Sequence, residues 1–161
     1  MPETNRQRSK LGALLGWNRW TRALLVAAVL LAGVTRAPQV LAFPHHVRIG
    51  TTDIWSEQPI DPALPKLLAR SDALVAASPL AGGDMARRLF LTDGGWRWRV
   101  LALADGGSYG FRRPWSSALV FNHSDIERDR VGSGAAVGRR SLSGTIAHET
   151  SHLLVARRIG E

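Results

Sequence analysis

The sequence predicts an α+β domain behind an N-terminal hydrophobic helix. Three observations carry this: an unbroken apolar run near the N-terminus, alternating strand-like and helix-like runs after Pro44, and a closing proline-free segment with helical signals at both ends. The 161 residues suffice for one globular domain and not two. With 45% hydrophobic and 21% charged residues, wholesale disorder, collagen-like and coiled-coil architectures are excluded. Cysteine is absent, which removes disulfide scaffolds, thiolate zinc sites, iron–sulfur clusters and cysteine nucleophiles.

The N-terminal element comes first. A basic stretch holding Arg6, Arg8, Lys10, Arg19 and Arg22 precedes the apolar run Ala23–Val34. Its twelve residues have the length of an export signal core, whereas a bilayer crossing needs about 20. A spanning helix would therefore run from about Ala23 to Phe43 and include Arg36. Trp17 and Trp20 suit the inner interface of such a span. Val40-Leu41-Ala42 has the small-residue spacing of a cleavage site, so a cleaved signal is the second reading, and a buried core helix the third. In the first two the positive flank stays inside and the remainder goes outward. The expected organisation is 1–43 as basic N-terminus plus signal-anchor or transmembrane helix, and 44–161 as an extracytoplasmic domain. The location is then the cytoplasmic membrane, single-pass, or the periplasm or medium after cleavage. From Phe43 onward 15 basic residues face 12 acidic ones. The net charge of +8 thus mostly reports the N-terminus, and no nucleic-acid partner is expected.

In the outer part, His46–Trp55 is short and β-rich. Asp61-Pro62 reads as a helix start, and Leu64, Leu67, Leu68, Leu74 and Val75 recur at helical spacing until Ser78-Pro79. Arg88–Leu91 and Trp96–Leu103 flank Asp93-Gly94-Gly95 and read as a hairpin of two strands. Asp105-Gly106-Gly107 turns the chain into Ser108–Arg112, and Ala118–Asn122 is another short strand. The sheet is expected to be small and mainly antiparallel. Trp96, Trp98 and Trp115 read as one packed sheet face alternating with solvated Arg97 and Arg99, or as an aromatic ligand surface. Ile126–Val131 carries a charge cluster expected in a solvated turn.

The last element is expected to be helical from about Gly144 to Arg158, with Ser143 as N-cap, Arg157 and Arg158 in the last turn, and Gly160 as the stop. One turn separates His148 from His152, so the two imidazoles share a helix face and can converge on one metal ion. Glu149 is rotated about 100° from them around the axis, where it can reach a metal-held water without displacing it. This H-E-x-x-H spacing is the signature of zinc peptidases.

The order of helix, small sheet and H-E-x-x-H helix resembles the zincin metallopeptidases of the gluzincin type. The stretches Arg140-Ser-Leu-Ser-Gly-Thr-Ile-Ala-His-Glu-Thr-Ser-His152, His45-His46-Val-Arg-Ile-Gly and Thr92-Asp93-Gly94-Gly95-Trp96 resemble a group of single-span bacterial zincin-like proteins over about residues 44–160. The resemblance implies a zinc ion held by His148, His152 and a third ligand. It implies that Glu149 is the general base for water attack on a peptide carbonyl, then gives the proton to the leaving amine. The partner is a peptide or protein substrate. Pairing of extended substrate falls near Val131–Gly138, which also reads as a glycine-rich loop. The third ligand is missing: the alternative pattern needs Gly at 155 and His at 158, where Val155 and Arg158 stand. Glu161, His123, Asp125 and His45-His46 are the remaining candidates, and Tyr109 or His123 the candidate oxyanion donors. A chain shortened at its C-terminus accounts for this and predicts poorly covered Leu153 and Leu154. A catalytically inactive zincin scaffold acting as an interaction module is the alternative function.

Overall fold

The computed structural model describes residues 19–103, 107–133 and 140–160. They form an α+β architecture with four α-helices and a five-stranded mixed sheet. The chain divides into two compact units, Met1–Gly33 and Val34–Glu161.

Helix α1, Arg19–Arg36, covers the apolar run and stops there rather than continuing to Phe43. Pro38 opens a short 3-10 turn, Pro38–Leu41, and Ala42 follows in the left-handed region at φ 52°. Val34, Leu41 and Phe43 pack onto the domain that follows. Three arginines, Arg19, Arg22 and Arg36, lie within α1. Among the described residues no helix is long and apolar enough to cross a membrane. Arg6, Arg8, Lys10 and Trp17 lie outside the described residues.

In the second unit the sheet order is β1-β2-β3-β5-β4, with β1 His45–Ile49, β2 Thr52–Ser56, β3 Arg87–Leu91, β4 Gly110–Arg112 and β5 Ala118–Phe121. The predicted short strand at 46–55 is the antiparallel hairpin β1–β2, turned at Gly50. The expectation of a mainly antiparallel sheet is corrected: β2–β3 and β3–β5 are parallel, and only the two outer pairs are antiparallel. Parallel neighbours require a crossover, which α2, Leu64–Ala76, supplies between β2 and β3. β5, buried at every position, and Leu89–Leu91 of β3 read as apolar runs, as central parallel strands do.

The second correction concerns Trp96–Leu103, which forms helix α3, Trp96–Ala102, in place of a hairpin strand. Trp98, Leu101 and Ala102 are buried at helical spacing, while Trp96 and Trp115 are exposed, so the three tryptophans form neither a sheet face nor a shared surface. The Asp93-Gly94-Gly95 turn enters this helix, and Asp93 Oδ1 accepts from Gly95 N at 2.9 Å. Of the next turn, residues 105 and 106 lie outside the described residues.

Two cores lie on opposite sheet faces. One packs Ile54, Leu89, Leu119 and Phe121 against α2 and α4, Leu142–Arg158. The other packs Phe90, Ala118 and Val120 beneath α3, with Phe43 and Trp55 at its margin. Arg97 fastens the segment before β1, donating from Nε to Leu41 O at 2.9 Å, from Nη2 to Ala42 O at 2.8 Å, and from Nη1 to Glu57 Oε1 at 2.9 Å.

Candidate metal centre

Helix α4 begins two residues earlier than the sequence suggests. Ser141 is the N-cap, and its Oγ accepts from Gly144 N at 3.2 Å. Ser143 cannot cap because Asp129 engages it: Ser143 N and Oγ donate to the two Asp129 carboxylate oxygens, each at 2.7 Å. The charge cluster lies in a turn with Glu127, Arg128 and Arg130 exposed, as expected, while Asp129 turns inward and anchors the helix start, with φ 51° and a bridge to Arg70 at 3.0 Å. A carboxylate there complements the helix dipole. At the other end Ile159 is the C-cap and Gly160 follows at φ 79°, as the sequence predicts.

The inner face of α4 is well covered. Leu153 joins the first core, and Leu154 packs with Val75, Leu80 and Met85. The expectation that these leucines are under-covered is thus corrected. A Cβ at Gly83 would stand 2.7 Å from Leu154 Cδ2, so glycine is what lets the 80–85 segment close over it. Val155 and Ile159 remain exposed.

His148 and His152 project together on the exposed side, with their Nε2 atoms 3.1 Å apart and their rings edge to face at 89°. Two nitrogen ligands at roughly 2.0–2.1 Å from a tetrahedral ion lie about 3.3–3.4 Å apart, so the pair fits as two ligands of a zinc site. The same separation suits a hydrogen bond from one imidazole to the other. Glu149 is buried at the wall of a cleft of about 350 Å³ that it shares with His152, Arg112, Val155, Ala156 and Ile159. A second cleft, of about 250 Å³, is lined by His148, Arg140, Ser141, Gly144 and Thr145.

The candidate third ligands among the described residues lie elsewhere. His45 and His46 are on β1, the sheet edge opposite β4, where His46 stacks on Trp55 and contacts Asp53 at 3.4 Å. His123 lines a cavity beside Trp98 under α3. Asp125 is taken by Arg128, whose backbone and side-chain N–H groups both donate to it at 2.9 Å and hold its carboxyl below the usual range. Glu161 lies outside the described residues. Among the described residues no group of three or more His, Asp or Glu is placed to hold a metal ion. Tyr109 packs beneath the Arg140 guanidinium, 4.6 Å from its ring centroid.

The strand expected at Val131–Gly138 reduces, in its described part, to one bridge between Val131 and Arg140, and residues 134–138 lie outside the described residues. The sheet edge that lies against α4 is β4. Phe111 points into the α3-side core, so alternation aims Arg112 at α4 and its cleft. Local pattern alone marks 108–112 as a strand and gives no hint of this neighbour, so Arg112 is missed from sequence.

Behind the motif, Arg87 braces the helix. Its buried side chain donates from Nη1 to Thr150 Oγ1 at 3.1 Å and pairs through Nη2 with Asp72 of α2. Thr150 Oγ1 in turn donates to Ile146 O at 2.7 Å. This fixes the rotation of the turn that bears Glu149. No family model, curated protein or solved structure matches this chain.

Proposed function

We propose that the protein is a zincin-like, zinc-dependent peptidase in which His148 and His152 hold the metal and Glu149 is the general base. The observation that carries this is the 3.1 Å approach of the two Nε2 atoms beside a buried carboxylate that opens into the same cleft as His152. When bound, zinc supplies a Lewis acid for the scissile carbonyl and brings the pKa of its water to about 7. Glu149 accepts the proton of the attacking water and delivers it to the departing amine. Arg112, which lines the same cleft, is a cationic group near which charge could develop on the carbonyl oxygen. β4, an edge strand of the sheet among the described residues, is a place where an extended peptide would pair. The third protein ligand comes from outside the described residues or from a partner.

Attachment to the cytoplasmic membrane through α1, with the domain after it outside, belongs to the same reading. The apolar side chains of α1, Leu24, Val29 and Leu30 among them, are largely exposed. Basic residues precede them. The alternative is release to the periplasm or medium after cleavage.

The deciding experiment measures zinc and hydrolysis together. The protein is expected to bind one zinc, His148→Ala/His152→Ala to lose it, and Glu149→Gln to keep the metal while losing hydrolysis of an unfolded protein substrate. Zinc retained by the double histidine variant refutes the site. A zinc-loaded protein with no hydrolysis supports the scaffold reading instead.

A further inference from the structure

The exposed face of α4 does not end with the histidines. From residue 148 to 159 the exposed side chains are His148, His152, Val155, Arg158 and Ile159, while Glu149, Thr150, Leu153, Leu154 and Ala156 are buried. Four of the exposed ones, His148, His152, Val155 and Ile159, follow one another at intervals of four, three and four residues. That interval keeps one stripe turned toward a neighbouring helix. Val155 is 44% and Ile159 74% exposed, so the stripe sets bare apolar surface beside the imidazoles.

Ligand number says what fits this stripe. Zinc takes four ligands, and a structural site takes all four from protein. Each chain presents two imidazole nitrogens together on one helix face, 3.1 Å apart, and the described residues place no third ligand beside them. A twofold axis through the ion turns two ligands into four with no further residue. With the two helices parallel, the same axis sets Val155 against its own copy, and Ile159 likewise. Antiparallel helices centred between the histidines would instead set Val155 opposite Thr145 and Ile159 opposite Ser141, apolar on polar. The seam is short: two apolar residues from each copy fall far below the roughly 800 Å² per partner of a stable interface. Arg158, exposed beside Ile159, adds like charge across the axis. Pairing therefore depends on the metal.

We propose that the exposed face of α4 is a self-association surface at which two copies of this chain share one zinc ion through the four imidazoles of His148 and His152. The inference rests on those histidines being the metal ligands, and not on hydrolysis. In the shared form four imidazoles fill the tetrahedron and leave no position for water. The pair is then silent beside Glu149, and a chain hydrolyses only when it holds an ion of its own. Scarce zinc favours the pair, and an excess separates it by giving each chain its own ion.

The test follows the mass of the full chain by analytical ultracentrifugation during a zinc titration, in a detergent that covers the exposed apolar side chains of α1. Relative to EDTA, the protein mass is expected to double near half an equivalent of zinc and to fall back in excess. Val155→Lys/Ile159→Lys sets like charges against each other across the axis. It is expected to weaken the zinc-dependent dimer about tenfold or more and still take up zinc in excess. The chain has no cysteine, so Val155→Cys can be joined to its own copy by a short bismaleimide, expected in zinc and not in EDTA. Glu127→Cys, exposed in the turn before α4, is expected to stay unjoined in both. Zinc bound with no change in mass overturns the shared site and leaves the ligand assignment standing. No zinc bound, or zinc kept by His148→Ala/His152→Ala, overturns both. A wild-type dimer from the lysine variant, or Val155→Cys joined equally without zinc, overturns the shared site. A dimer that persists in excess zinc overturns the exchange between the two forms.

Discussion

Removing either member of the Arg87–Asp72 pair is expected to have unequal consequences. The Arg87 side chain is 1% exposed and that of Asp72 51% exposed. Asp72→Ala strands a buried guanidinium whose remaining partner is the Thr150 hydroxyl, since Arg87 Nε has none. Breaking a buried pair from one side costs about 3–5 kcal/mol. Water can enter where the half-exposed carboxylate stood, so the expected loss here is about 2–3 kcal/mol, a fall in Tm of roughly 7–10 °C. Arg87→Met removes the charge with a side chain of similar length. Asp72 then turns to solvent, and Thr150 Oγ1 keeps its bond to Ile146 O. That variant is expected to stay within about 1 kcal/mol of wild type, and Asp72→Ala/Arg87→Met to recover most of what Asp72→Ala loses. Urea unfolding of the four proteins, with equal m-values, gives the cycle directly. Arg87→Met as destabilising as Asp72→Ala would refute the argument.

Three further outcomes follow from the same geometry. Asp129→Ala removes both bonds to Ser143 and the bridge to Arg70, and should lower stability by about 2 kcal/mol in urea titration. A loss under about 0.5 kcal/mol would mean the helix start is held elsewhere. Asp125 has its carboxyl depressed first by the Arg128 backbone N–H and then by the Arg128 side chain. Its stabilisation is therefore complete above the unfolded pKa of about 3.9 and disappears as pH falls through the lower folded value. The difference in stability between wild type and Asp125→Asn should be constant from neutral pH to about pH 5 and vanish in stronger acid. Gly94→Ala meets both a positive φ and the His123 ring, and is expected to lower stability by about 2 kcal/mol or more. Adding His123→Ala should restore part of that loss in thermal unfolding.

Helix α4 was legible because its signals are local. A proline-free run, basic residues in the last turn and Gly160 at its end fix the helix and put His148 and His152 on one face. The N-cap moved because Ser141 and Ser143 are equally good by type. The choice depends on Asp129, a residue brought in by the tertiary fold. Helix α3 misled for a different reason. Over seven residues, Trp98 and Ala102 fit a helical stripe, while Trp96, Trp98 and Val100 fit strand alternation. Reading it as a strand makes a hairpin partner for β3, and from that came the mainly antiparallel sheet. The neighbours that β3 has, Thr52–Ser56 and Ala118–Phe121, are about 30 residues away on either side and leave no local trace. Arg87 and Arg112 were invisible likewise, since both act across elements that the sequence does not order in space.

The Arg97 clamp bears on when the chain can be processed. Val40-Leu41-Ala42 has the small-residue spacing that an export peptidase reads, and such a peptidase takes its substrate extended. In the folded domain, both carbonyls flanking the Ala42 amide are hydrogen-bonded to one guanidinium, the backbone there is left-handed, and the next ring, Phe43, lies against Phe90 with centroids 5.4 Å apart. Once β1 and α3 are in place, that bond is shut to a protease. Any cleavage after Ala42 would therefore have to precede folding of the domain.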